Sequence, residues 1–279
     1  MTCELSSSRT GGLVEKPRRQ FARVLTPLLP AVIVFAFLTG LTIWVAATAD
    51  FRSFYSPMGH FSYAIGWSGL ALFYPVLVVA VYLLGFTERL RQRWIFYARP
   101  RVSIRRYLAH EALKNAAIAF AVFFAFALAS GVVVFYIIPA TGVTFDTIGP
   151  GTVFPSDAEF ARLTELTAVS PLLYVIVYAA WQGLNAAVWA TFGFAAVLLI
   201  RNRLVALATP FLLFIALAVL MGMAPSVFAQ NAPWLLWFLF SIAQVSMVPS
   251  VIILGILAAA AVGLVAWVLR HPNRWETLR

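Results

Sequence analysis

The sequence predicts an all-α polytopic membrane protein: six transmembrane helices, both termini cytoplasmic, and an amphipathic helix on that same face. Three observations predict it. Only 11% of the 279 residues are charged and 62% are hydrophobic, against roughly 25% charged in ordinary soluble domains. Six apolar runs reach the length that a bilayer core requires, and a helix in lipid satisfies its own backbone. The basic residues, finally, gather on one set of connections and avoid the other.

The elements follow in order. A polar tail, residues 1–25, holds the sole cysteine, Cys3, so neither an intramolecular disulfide nor a thiolate metal site is expected. The membrane domain covers 26–269. Its first span is 26–48, with Thr26 as N-cap and Pro27 at the first helical position, where a missing N–H costs little. A basic start and the Ala47-Thr48-Ala49 tripeptide imitate a cleaved signal, but the apolar run exceeds the roughly 7–15 residues of a signal core. A retained anchor is expected. The other spans are 66–86, 112–138, 171–200, 204–223 and 249–269, and a short tail, 270–279, follows. At about 1.5 Å per residue each crosses a core of about 30 Å. Pro75 and Pro210 lie inside spans 2 and 5 and predict kinks.

Charge orients the bundle. The N-tail, the 87–114 segment, Arg201/Arg203 and the C-tail hold 18 of the 20 basic residues and 5 of the 10 acids. The other connections hold Arg52 and Arg162 against five acids. Excess Lys/Arg marks the cytoplasmic side, which places both termini inside a cell membrane, a bacterial one being the expectation. A net charge of +10 would point to nucleic acid in a soluble chain; here orientation accounts for it, and no nucleic-acid partner is expected.

Three connections carry detail. In the external segment 139–170, Ser156 and Glu159 form a capping-box pattern opening a short helix near 157–166, read either as an interfacial connector or as a lid. Segment 225–248 has an apolar core, Trp234 to Ile242, too short to cross; re-entrant and interfacial placements both fit. Small residues recur every fourth position at Ala117, Ala121, Ala125 and Ala129, at Ala179, Gly183, Ala187, Thr191 and Ala195, and at Gly255, Ala259 and Gly263. Such stripes let helices approach closely in lipid, holding the bundle together or lining a dimer interface.

Chemistry is sparse. There is no GxxxxGK[ST] phosphate loop and no GxSxG elbow. The stretch His110–Lys114 begins like a zinc-protease HExxH but has Lys114 where the second histidine belongs. Away from their ends the spans hold no Asp, Glu, Lys, Arg or His, groups that ion-coupled carriers usually retain in lipid. Gln182 and Asn185 in span 4 are the most polar core residues, suited to interhelical hydrogen bonds or to substrate contact. No catalytic, cofactor-binding or metal-binding residue is expected, and the chain is read as no enzyme by itself.

The stretch ERLRQRWIFYARPRVSIRRY, Glu88 to Tyr107, carries seven arginines, more than orientation needs. As a helix it aligns Leu90, Trp94 and Tyr97 in one apolar stripe, with Arg89 and Arg93 on another face. Glu88 stands three residues before Arg91, a pairing distance. Arg99-Pro100 breaks the helix, and Ser103 is placed to cap the next, which runs on into span 3. The elbow, 87–111, is thus read as an ordered cytoplasmic structure, beside the alternative of a solvated positive-inside loop whose arginines meet anionic lipid.

With those residues in view, "GFTERLRQRWIFYARPRVSIRRYLAHEALKNAAIAF" resembles the span 2–span 3 connection of ABC-2-type ABC exporter permeases. The matching positions are Glu88, Arg99, Pro100, Tyr107, Leu108 and Lys114, and "RNRLVALATPFLL" is similar to the family's short basic turn before its fifth span. The family often has a glycine soon after the glutamate; here Arg91-Gln92-Arg93 stands there. The resemblance implies that the elbow is a coupling helix docking on a separate cytoplasmic ABC ATPase, which would hold the ATP and Mg. Arg89, Arg91 and Arg93 would meet acidic rims, and Leu90 and Trp94 would serve as apolar anchors. It also implies a second permease copy or a sister permease. Beside this reading stands a non-transporting membrane protein, such as an assembly factor, sensor or scaffold. The cargo is not legible.

Overall fold

The computed structural model describes residues 28–48, 57–67, 70–91, 103–142, 166, 169–222 and 247–271. These residues are helical apart from short caps and turns, with no strand among them. The helices are α1 (Leu29–Thr48), α2 (Pro57–Trp67), α3 (Leu70–Arg91), α4 (Ile104–Val132), α5 (Pro171–Leu199), α6 (Arg203–Gly222) and α7 (Met247–Arg270). Helix α4 continues through a π-helical turn, Val133–Ile137, and a last turn, Ile138–Ala140. Gly142 then takes φ +82°, the left-handed conformation that closes helices at little cost to glycine. Its N–H bonds to the Pro139 carbonyl at 3.1 Å.

Five of the helical stretches are long and apolar enough to cross a membrane: Leu29–Thr48, Phe73–Leu90, Ile104–Ala140, Pro171–Leu199 and Val251–Arg270. The apolar part of α6, Arg203–Leu217, is shorter among the described residues. Both internal prolines sit within continuous helices, Pro75 in α3 and Pro210 in α6.

Helix α5 is the hub. It packs most extensively on α4 and also touches α3, α6 and α7. Small residues make this approach close. A Cβ added at Gly183 would lie 3.0 Å from the Phe120 carbonyl oxygen and 2.8 Å from its ring. One added at Gly193 would lie 2.7 Å from Leu83 and 3.2 Å from Pro210. Trp189, Phe194, Phe123, Phe126, Tyr74 and Phe86 fill the remaining volume as the largest fully buried side chains. In lipid, such packing, rather than water exclusion, holds helices together.

Several expectations change here. Helix α2 is not foreseen by apolarity; it is short and includes His60, which is buried and bonded through Nε2 to the Ala46 carbonyl of α1 at 2.9 Å. The second span does not stop at Phe86 before a new helix. Glu88, Arg89, Leu90 and Arg91 form the last turn of α3, the helix running through Gly85, which costs an interior helix only about 1 kcal/mol relative to alanine. Ser103 occupies the N-cap position of α4 in extended conformation but makes no capping side-chain bond. The stripe of span 3 does not hold the bundle as a whole: Ala117 and Ala121 are exposed, and α4 packs instead through Leu108, Asn115, Ala119, Phe123 and Phe126. In α5, Ala179, Gly183 and Ala195 are buried as the pattern implies, whereas Gly255, Ala259 and Gly263 of α7 all face outward. The capping-box helix near 157–166 (Leu166 apart), the segment 225–246, and Thr26 and Pro27 lie outside the described residues.

Candidate functional site

The most polar feature of the bundle lies where α3 ends and α4 begins. Tyr82, Phe86 and Arg89 fall at i, i+4 and i+7, so one face of α3 presents them together. Glu111 and Lys114 occupy one turn of α4. The two helices bring these groups into contact. The Tyr82 hydroxyl donates a hydrogen bond to Glu111 Oε2. Arg89 Nη2 donates to the Tyr82 oxygen at 2.9 Å and lies 3.4 Å from Glu111 Oε2. Lys114 Nζ reaches Glu111 Oε1 at 3.3 Å.

Burial decides what these distances mean. The Glu111 side chain is 2% exposed, while Arg89 is 36% and Lys114 47% exposed. A carboxylate taken out of solvent is retained only when it is paired and hydrogen-bonded, and both oxygens of Glu111 have partners. The two cations stay partly in solvent, which lowers their own desolvation cost. Arg89 is further held by the rings beneath it: its guanidinium carbon lies 5.3 Å from the Tyr82 centroid and 5.8 Å from that of Phe86, cation–π distances. Tyr107, half-buried, lies within electrostatic reach of Glu111 and Arg89.

A second tie joins the same end of the bundle to α6. Glu88 Oε2 accepts from Arg203 Nη1 at 3.0 Å, and Arg203 Nη2 lies 3.5 Å from the Leu84 carbonyl. Asn202 caps α6 by accepting from the Leu204 N–H at 3.0 Å, a favoured N-cap geometry.

The sequence-expected docking residues fall into two groups. Glu88, Arg89 and Leu90 are engaged within the chain: Glu88 with Arg203, Arg89 with Tyr82 and Glu111, and Leu90 packed against the core. Arg89 is therefore turned toward Tyr82 and Glu111. Arg93, Trp94, Tyr97, Arg99 and Pro100, and the side chain of Arg91, lie outside the described residues. Of the entry residues, Tyr107 packs against the core and Lys114 joins the Glu111 pair.

Gln182 and Asn185 are both buried in α5. The Asn185 amide bonds back to the Trp181 carbonyl at 2.9 Å, a turn within its own helix. Gln182 contributes its backbone carbonyl, which accepts from the Tyr74 hydroxyl of α3 at 3.0 Å. The interhelical bond of α4 to α5 comes from Asn115, whose Nδ2 donates to the Ala190 carbonyl at 2.7 Å. Among the described residues no three His, Cys, Asp or Glu side chains are grouped to hold a metal.

Sequence reasoning missed Tyr82, Glu111 and Asn115. The signal for the first two was present. Tyr82 stands seven residues before Arg89, on the same helical face, and Glu111 stands three before Lys114 on the next helix. Comparison of the chain with protein-family models, with curated proteins and with solved structures finds no match.

Proposed function

We propose that the chain is the membrane-spanning permease subunit of an ATP-binding-cassette exporter, worked from the cytoplasmic side by a separate ATPase and paired with a second permease. The single observation that carries this reading is the Arg89–Glu111 contact between the end of α3 and the start of α4. Those two ends flank residues 92–102, which contain Arg93, Arg99, Arg101 and Trp94. A basic, aromatic-bearing connection whose two roots are tied together is a suitable handle: force applied to it moves two helices at once.

The resemblance of Glu88, Arg99, Pro100, Tyr107 and Lys114 to the coupling region of ABC-2-type permeases supports the same reading, as does the absence of a phosphate loop from this sequence. Because Arg89 is occupied internally, docking falls to Arg91 and Arg93, with Trp94 as the apolar anchor of the kind that dominates interfaces. The chain would supply the pathway, and ATP and Mg would bind the partner.

Co-purification tests it. The full chain, extracted in mild detergent from its native cells, is expected to retain a cytoplasmic protein identified by mass spectrometry as an ATP-binding-cassette hydrolase. Trp94→Asp is expected to release it. Retention of that hydrolase by Trp94→Asp overturns the docking assignment. Isolation of the chain with no such hydrolase favours a non-transporting role.

A further inference from the structure

We propose that Arg89, Tyr82 and Glu111 form an internal latch that makes α3 and α4 a single lever, so that Arg89 is a positioning residue inside the permease and not part of its docking surface. The inference deepens the permease reading and rests on it for its purpose, though not for its geometry.

Three observations carry the latch. The bonds cross between helices: Tyr82 and Arg89 belong to α3 and Glu111 to α4, and both α3 groups converge on the same Oε2. The shared acceptor is withdrawn from solvent, at 2% exposure, so while α3 and α4 stay packed no water replaces a donor that is lost. The donors are aligned by what surrounds them: the Tyr82 ring stacks on Phe86 at 6.4 Å and 18°, and Phe86, fully buried, meets Phe194 of α5 at 5.1 Å. Charge-assisted bonds to a buried carboxylate are among the stronger side-chain contacts.

Lys114 provides the internal control. It touches the same carboxylate, but it lies on α4 three residues from Glu111, so its ion pair joins no two helices. A latch needs Arg89 and Tyr82 and does not need Lys114. Glu88 and Arg203 extend the tie to α6 at the same end, so displacement of the α3–α4 lever has a route to a third helix.

The test uses the full chain with Cys3→Ser and nitroxide labels at Leu84 on α3 and Leu113 on α4, both exposed positions. Dipolar spectroscopy reads the separation. The parent is expected to give one well-defined separation. Glu111→Gln and Arg89→Met are expected to lose it, giving a spread, and Lys114→Gln is expected to keep it. An unchanged separation in Glu111→Gln overturns the latch, as does an equal spread in Lys114→Gln. Should Glu111→Gln fail to accumulate, Arg89→Met and Tyr82→Phe are read in the same way.

The companion measurement separates the latch from the permease reading. In the complex with its ATPase, Glu111→Gln and Arg89→Met are expected to retain the ATPase, since neither touches the docking surface; its loss from Arg89→Met returns Arg89 to that surface and overturns the inference. If the parent itself captures no ATPase, the permease reading fails, and the label separations still judge the latch on their own.

Discussion

Glu88 and Arg203 stand 115 positions apart in the sequence and 3.0 Å apart in the structure. The pair joins the last turn of α3 to the first turn of α6, the end of the molecule where α4 also begins. Both side chains are partly exposed, at 35% and 42%, so solvent screens the attraction. Arg203→Ala is expected to cost at most about 1 kcal/mol. The loss should shrink as salt rises, because ions screen exposed pairs over about 10 Å at 0.1 M. Thermal unfolding in detergent at low and high salt checks this; equal losses at both would mean that Arg203 acts by packing.

The Glu111 cluster should behave differently. Removing one partner of a buried pair leaves a charge without compensation, at about 3–5 kcal/mol when both groups are buried. Arg89 is only partly buried, so Arg89→Met is expected near or below the lower end of that range, about 2–3 kcal/mol. Lys114→Gln is expected to cost less than about 1 kcal/mol. Unfolding midpoints of the two variants rank them, and the reverse order would show that Lys114, not Arg89, neutralises the carboxylate.

How much of this was legible in the sequence depends on what each residue answers to. The spans at α1, α5 and α7 follow from apolar run length, a local property, and their bounds fall within a few residues of those expected, whereas α4 begins at Ile104, well before the apolar run does. Helix α2 escaped because Pro57–Trp67 is short and mixes His60 and Ser62 with apolar residues, so it has no clean run. Glu111 escaped because the span was bounded by apolarity and so began at Ala112, and because His110–Lys114 was compared with a zinc motif. Whether a charged residue at a helix entrance is buried depends on the neighbouring helix, and only the structure supplies Tyr82 and Arg89. The Ala117–Ala129 stripe shows the converse: correct spacing for close packing, with the neighbouring helices meeting another face, where Asn115 bonds to Ala190 of α5 and Phe123 meets Tyr74 of α3.

Close packing on α5 gives a sharper prediction. The nearest backbone to a new Cβ at Gly183 is the Phe120 carbonyl oxygen at 3.0 Å, and backbone in a continuous helix cannot swing aside as a side chain can. Gly183→Ala is expected to destabilise by about 1–3 kcal/mol through overpacking. Gly255→Ala, whose added methyl meets nothing within 4 Å, is expected to be neutral or slightly stabilising, since alanine favours helix by about 1 kcal/mol. Comparable losses at both positions would remove the case for α4 and α5 as the tight pair.

His60 supplies a pH dependence. Its imidazole is buried against the Ala46 carbonyl, and burial lowers its pKa from the ordinary 6.5, the bond to that carbonyl opposing the shift. The folded state thus favours the neutral ring. Below about pH 6.5 the unfolded chain takes up a proton that the folded chain resists, so the contribution is full above that pH and declines as pH falls through it. Unfolding temperature should drop between neutral pH and about pH 5, and His60→Gln should flatten that part of the profile. A wild-type profile with no decline there would mean that the ring is charged in the fold.

Orientation can be tested through α4. The helical stretch Ile104–Ala140 is 37 residues long, which at about 1.5 Å per residue spans about 55 Å, well beyond a hydrocarbon core of about 30 Å. A crossing of that length is expected to emerge with its ends on opposite sides. Arg105, Arg106 and Lys114 cluster at the first end, and the acidic 139–170 segment follows the second, so the positive-inside rule predicts Ser103 on the cytoplasmic side. In a Cys3→Ser background, a cysteine at Thr152 is expected to react with a membrane-impermeant maleimide on intact cells, and one at Ser103 only after permeabilisation. The reversed pattern would invert the chain and remove the cytoplasmic site on which the coupling proposal depends. Reaction at both positions, or at neither, would deny that α4 crosses at all.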